Sequence, residues 1–513
     1  MISFLKERGR EKEKGEIIDL LLFVAISAMT VLLTFGSFDP NGHLDAGGTN
    51  SFTIFGITFY HEINKTSPIY MVLPVVGLFL ILAILFMIRR IKSSKLKADR
   101  LLLSVFVGFA VCRIVGNLAF PYGEQSYSFF YFRDNLSHEV LYAGYEIEER
   151  LLGTLNEVCF IFYFYLFFSY IRSFGRRHMM VLINICLYSI IGIVVVMNIY
   201  SFIFERDILG SFFHYLIEGG EFEQKLLSTK SFLSHRNVYG FFIMLAIISV
   251  MILFFKKPNP LLLIGFFYFM FTEILTGSRT SCILSGAVCL AAFVSYPIFQ
   301  FKKHKTYSFI TIGIAALIIV GISLIFTVFK DTKIGEIFFN FKGNLVITNT
   351  LESRIIHWKL ALSMMISPFV LIFGYGRVPF ANIYYTYETN VSYEALYVAH
   401  NGYIQVLVDM GITGLLMVTL GFGLLFYFII RLFQKKRKDL AVPFLIDLIA
   451  CMIHSFIEPR MLFMMEGTNV IFIAILLLPL TYCYYDVCYP LNKDVIKKDY
   501  RVYLLSGIQS KIA

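Results

Sequence analysis

Two arginines, two histidines and a run of tyrosines between residues 235 and 401 form the set of side chains in this sequence best suited to handling an anionic, sugar-bearing ligand. Arg279 lies in the segment Thr276-Gly277-Ser278-Arg279-Thr280. A guanidinium is always charged and forks onto phosphate oxygens in bidentate fashion, so Arg279 flanked by the Ser278 and Thr280 hydroxyls is a seat for a phosphate on a membrane-embedded tail. Arg354 and Trp358 are four residues apart and fall on one face of a helix that Pro368 ends or kinks. The plain alternative is a surface-lying helix with Trp358 at headgroup level. Gly374-Tyr375-Gly376 reads as a tight turn that lets backbone approach a ligand. Tyr384, Tyr385, Tyr387, Tyr393 and Tyr397 offer ring faces and hydroxyls to a saccharide, and equally an interfacial aromatic belt. His400-Asn401 opens a further helix, where an imidazole is suited to abstracting a proton near neutrality. His235-Arg236-Asn237 opens another, with Asn237 as its cap and the positive dipole end facing an anion. An interfacial anchor made by Arg236 and Tyr239 is the alternative there. No H-x-x-H, D-x-D or H-E-x-x-H spacing occurs in the segments between spans on this side, so no metal is expected.

The elements that must position these residues are membrane helices. Hydrophobic residues make up 58% of the 513 and charged residues 16%, and several apolar runs exceed the length needed to cross a bilayer. Twelve spans are expected, at about 17–38, 69–88, 101–120, 151–171, 180–203, 237–255, 260–277, 281–300, 307–329, 412–431, 440–457 and 469–489. With the N-terminus inside, every inner segment is short and basic and together these segments hold most of the 45 Lys and Arg. Both termini are then cytoplasmic. The net charge of +10 is accounted for by topology, and no nucleic acid partner is implied. The outer loops are about 39–68, 121–150, 204–236 and 330–411. The inner ones are too short for a nucleotide-binding domain, and there is no Walker-type loop. Arg113 and Asn117, Asn156 and Glu157, and Glu273 lie in or near spans, where charge is costly. Arg113–Glu157 and Arg279–Glu273 pairs would satisfy them.

The order S-R-T (278–280), E-S-R-x-x-x-W (352–358), G-Y-G-x-x-x-F (374–380) and H-N-x-x-x-Q-x-x-x-x-x-G-I-x-G-L (400–415) resembles the O-antigen polymerase and O-antigen ligase family. The stretch at 235–240 resembles that family's Pro-Asn-x-x-Gly feature, with Arg236 in place of the proline, and Asp409 stands where an acidic residue, more often Glu, precedes the glycine. The resemblance covers about 235–430. It implies an all-α polytopic membrane protein of the GT-C-like kind, one membrane domain over 1–513, with a large extracytoplasmic helical loop, 330–411, before span 10. It further implies an inverting glycosyltransferase without metal or cofactor, acting on the extracytoplasmic side of the cell membrane on undecaprenyl-diphosphate-linked oligosaccharide as donor and acceptor. By motif match Arg279 and Arg354 hold the diphosphate and His400 is the general base. Ser278, Thr280, His235, Arg236, Asn237, Trp358, Tyr375, Tyr393, Tyr397 and Asn401 are the expected substrate-binding residues. The lipid bilayer and a chain-length regulator or flippase are the expected partners. A polymerase of capsule, O-antigen or exopolysaccharide is the first reading; a ligase that transfers finished glycan, and a non-enzymatic flippase, are the alternatives.

Overall fold

The computed structural model describes residues 176–218, 236–329 and 401–457 without a break, together with parts of 50–61, 97–142, 354–374 and 383–395 and scattered positions elsewhere. Expected spans 17–38, 69–88, 151–171 and 469–489 lie wholly or mostly outside the described residues. The elements in chain order are β1 (Asn50–Ile54), β2 (Ile57–His61), α1 (Lys97–Ala119), β3 (Gln125–Tyr131), β4 (Leu136–Tyr142), α2 (Arg176–Phe204), α3 (Arg206–Glu218), α4 (Arg236–Lys256), α5 (Pro260–Thr276), α6 (Arg279–Gln300), α7 (Lys305–Thr327), α8 (Pro368–Phe373), β5 (Ile383–Tyr387), β6 (Asn390–Ala395), α9 (Gly402–Gln434) and α10 (Lys438–Ile457). Among the described residues, six helices are long and apolar enough to cross a membrane, and the stretches Leu103–Gly116 and Pro260–Thr276 are shorter apolar helices. The membrane part is all-α and polytopic, as the hydropathy pattern requires.

The bundle is built around α4. Of its membrane-length stretch 94% of residues are buried, against 17% for α7, so α4 is apolar on every side because every side meets another helix. It packs against α2, α5, α6 and α10. The α5–α6 link is a turn of two residues. Gly277, at φ 62°, ends α5 in the left-handed conformation, and the Ser278 N–H donates to Thr276 Oγ1 at 3.0 Å. At the other end of α5, Asn259 caps the Leu262 N–H at 2.9 Å and Pro260 occupies the first helical position. Both ends of this short helix are thus fixed by local chemistry.

The loop expected to be helical differs in part. Residues 354–355, 358–359 and 361–362 are helical, and Pro368 opens α8 instead of ending a helix, a position where a missing N–H costs nothing. The tyrosine-rich stretch forms β5 and β6, as β-branched and aromatic residues favour. The four-stranded antiparallel sheet has the order β3-β4-β5-β6, with Val140 opposite Tyr385, so residues 125–142 and 383–395 are joined across the sequence.

Helix α9 begins ten residues before the span expected from hydropathy and is broken at Gly411, where φ 65° and ψ −164° are open only to glycine. Its kink meets α8 backbone to backbone. A Cβ on Gly411 would lie 2.3 Å from the Ile372 carbonyl carbon, and one on Gly374 (φ 75°) would lie 2.4 Å from the backbone of Asp409 and Met410. Gly374 was expected to admit a ligand; it admits this second chain segment instead. Thr413 Oγ1 ties the joint by donating to the Ile372 carbonyl at 2.8 Å. Gly411→Ala is expected to lower stability by at least about 2 kcal/mol, while Gly423→Ala, whose added Cβ meets nothing within 4 Å, stays near neutral. Thermal unfolding of the two variants in one detergent makes the comparison.

Candidate functional site

The N-termini of α4, α6 and α9 and the C-terminus of α10 lie at one end of the bundle. Phe241 of α4 packs on His454 of α10 with ring centroids 4.7 Å apart, and the Tyr403 hydroxyl donates to the Met452 carbonyl at 3.1 Å. Gly240 of α4 approaches so near the α5–α6 turn that an added Cβ would sit 2.7 Å from Ser278 Cβ and 2.7 Å from Glu273 Oε1. That contact is why a glycine follows Arg236 by one helical turn. It also brings the start of α4, which carries Arg236, beside the start of α6, which carries Arg279.

Arg354 reaches the same place from the loop. Its Nη1 donates to the carbonyl of Ile457, the last residue of α10, at 2.9 Å, where a cation complements the negative end of the helix. Trp358, one turn on, packs edge-on against Phe456 at 5.8 Å, so both side chains use one face against the last turn of α10. The charges of Arg236 and Arg354 both act on the guanidinium of Arg279. Three partly buried guanidiniums from three separate segments are therefore neighbours.

Other expected site residues are placed as follows. Ser278 is buried, and its Oγ donates to Ser281 Oγ at 3.2 Å. Thr280 and Asn237 lie in the first turns of α6 and α4, so Asn237 is not a cap, and both are half-buried. Asn401 is buried and caps α9, its Oδ1 accepting from the N–H groups of Tyr403 (2.9 Å) and Ile404 (3.1 Å). Tyr393 belongs to β6. His235, Tyr375, Tyr397 and His400 lie outside the described residues. Tyr239 is no interfacial anchor: it is buried, and its hydroxyl donates to Asn198 Oδ1 of α2, whose Nδ2 donates to Thr272 Oγ1 of α5 at 3.3 Å.

The charge pairs differ from those expected. Arg113 pairs with Asp409 of α9, at 3.8 Å between Nη2 and Oδ2, with both side chains buried. Gln405 Nε2 completes the carboxylate's shell by donating to Oδ1 at 3.0 Å. The expected partner, Glu157, lies outside the described residues. The motif resemblance singles out Asp409, but nothing in the sequence pairs it with Arg113, nearly three hundred positions away, because it sits where hydropathy placed the loop. The Arg279–Glu273 pair is not formed. Glu273 is fully buried with neither carboxyl oxygen hydrogen-bonded, and Ser285 is near enough to act on it electrostatically without bonding geometry. Glu273 Oε1 lies against Gly240 of α4, where an added Cβ would sit 2.7 Å from it.

Apolar helices of membrane length and buried intramembrane charge define a multi-pass membrane protein, with arginines gathered at one end of its bundle. Residues 261–419 match the family model described as O-antigen ligase, so this part of the chain is similar to that family. A search of curated proteins gave no match. The matched segment contains Arg279, Arg354, the α8–α9 joint and Asn401.

Removing one partner of the Arg113–Asp409 pair leaves a buried charge uncompensated. Arg113→Ala is therefore expected to cost about 3–5 kcal/mol, and Arg113→Met with Asp409→Leu appreciably less than Arg113→Ala alone. Denaturation of the single and double variants measures the difference.

Proposed function

We propose that this protein is a polysaccharide polymerase, an inverting, metal-independent glycosyltransferase that joins undecaprenyl-diphosphate-linked oligosaccharide repeat units at the extracytoplasmic face of the cell membrane. The observation that supports this most is the gathering of Arg236, Arg279 and Arg354 at one end of the bundle. The opposite end carries Lys256, Lys257, Lys302, Lys303, Lys435, Lys436 and Arg437, the pattern of a cytoplasmic face. In this reading Arg279 and Arg354 hold the diphosphate of the donor, and guanidiniums fixed in advance stabilise charge that grows on it as the glycosidic bond breaks. His400 directly precedes the α9 cap Asn401 in the chain, and it takes the proton of the attacking acceptor hydroxyl. The acceptor oxygen bonds to the anomeric carbon opposite the departing diphosphate, which inverts that centre. Trp358 and the tyrosines of 375–397 supply surfaces for the saccharide. Residues 330–411 act as an extracytoplasmic loop of a single membrane domain.

The family match also favours a second reading, in which the same donor chemistry transfers finished glycan to a different acceptor. Purified protein given lipid-linked repeat units alone separates them. A ladder of products supports the polymerase, product only after another acceptor is added supports the ligase, and movement of the lipid across the bilayer without chemistry contradicts both. Arg279→Ala, Arg354→Ala and His400→Ala are each expected to lower turnover by a factor on the order of 10²–10⁴ with the protein still inserted. Polymer at the wild-type rate from His400→Ala removes the base assignment.

A further inference from the structure

Glu273 is the only acid of α5, and it stands where a carboxyl is costly. It is fully buried in the last turn of the helix, and neither of its oxygens takes part in a hydrogen bond. An ionised carboxyl enclosed among helices needs an opposite charge to replace the water it has lost.

Its surroundings are rich in oxygen. Ser278, Ser281 and Ser285 are all buried and follow the spacing of one helical face, from the cap of α6 inward. Ser278 Oγ donates to Ser281 Oγ at 3.2 Å, so its lone pairs are left for another partner. Ser285 Oγ makes no hydrogen bond, although it lies near enough to act on the Glu273 carboxyl. Gly240 of α4 brings two of these groups together. The position its Cβ would take is 2.7 Å from Glu273 Oε1 and 3.1 Å from Ser278 Oγ, so carboxyl and hydroxyl converge on one point of the α4 backbone. Oxygens that converge without sharing a proton are the donor set of a cation.

Hard oxygen donors select a hard cation, and one carboxylate balances one charge. Divalent sites gather several acids, and among the described residues no three acids, histidines or cysteines converge. The negative end of the α5 dipole adds to the preference for a cation. We propose that the Glu273 carboxylate and the hydroxyls of Ser278, Ser281 and Ser285 form a binding site for a single sodium ion. The ion neutralises the buried acid and joins α5 to α6 beside Gly240, four residues beyond Arg236 and next to the turn that carries Arg279. It takes no part in the proposed transfer, and the site does not depend on which reaction the protein performs. A site built from hydroxyls shows none of the His or Asp spacings that mark a transition-metal centre.

The test uses full-length protein in detergent at pH 8, with sodium chloride exchanged for choline chloride at constant ionic strength. An ion bound only by the folded state stabilises it more as its concentration rises, so the wild-type Tm is expected to climb by several degrees from about 1 to about 100 mM sodium. Glu273→Gln keeps the shape and removes the charge. It is expected to melt at or above the sodium-free wild type and to show no sodium response. Ser281→Ala is expected to weaken the binding of radioactive sodium on the order of tenfold, because a ligand is lost. A wild-type Tm that is equal in sodium and choline overturns the site, as does a sodium response that survives in Glu273→Gln or sodium binding unchanged in Ser281→Ala. A Tm that ignores sodium but depends on pH only while Glu273 is present gives the carboxyl a proton instead, and overturns the site as well.

Discussion

Like charges at adjoining helix ends repel, and the arrangement of this protein is organised by that constraint. Arg236 and Arg279 stand at the N-termini of α4 and α6, where the helix dipole adds to the repulsion, and Arg354 is brought beside them. Such a cluster persists only if the surrounding packing is stiff. The bundle supplies the stiffness through α4, which is enclosed on all sides, and through a two-residue turn that leaves α5 and α6 no freedom to separate. The hydrogen bond from Arg354 to the last carbonyl of α10 holds the third cation by a group of opposite sign.

The rest of the site end is fixed by close backbone approaches and buried polar contacts. Gly240 lets α4 reach Ser278, and Gly374 and Gly411 let α8 lock against the kink in α9. The Arg113–Asp409–Gln405 contacts then tie the first turns of α9 to α1. The Gly240–Ser278 joint lies within four residues of Arg236 and next to Arg279, and Gln405 lies one turn from the cap Asn401. The segment before Gly411 is held from three sides, by α1, α8 and α10.

The membrane helices were legible in the sequence because a bilayer imposes one requirement, internal satisfaction of backbone hydrogen bonds, and apolar length reports it directly. Eight of the expected spans coincide with described helices. Arg279 and Arg354 were legible as candidates because guanidiniums near a membrane surface are conspicuous. Three features were not. Gly240, Gly374 and Gly411 read as ordinary turn or helix glycines until the chain segment across from each is known. Arg113 gave no sign of its partner because Asp409 lay ahead of the span that hydropathy marked. The β propensity of the tyrosines of 383–395 is masked by the helical pattern of the rest of the chain, and their pairing with residues 136–142 depends on contacts too distant in sequence to be read from either stretch.

In the proposed transferase the guanidiniums at this end of the bundle form one seat for a lipid diphosphate. An electron cryomicroscopy map of the protein in nanodiscs with undecaprenyl diphosphate bound tests it directly. Both phosphates are expected in contact with Arg236, Arg279 and Arg354, with the lipid tail leaving into the bilayer. A diphosphate seated away from those three side chains, or held at the Lys256–Arg437 end of the bundle, would contradict it.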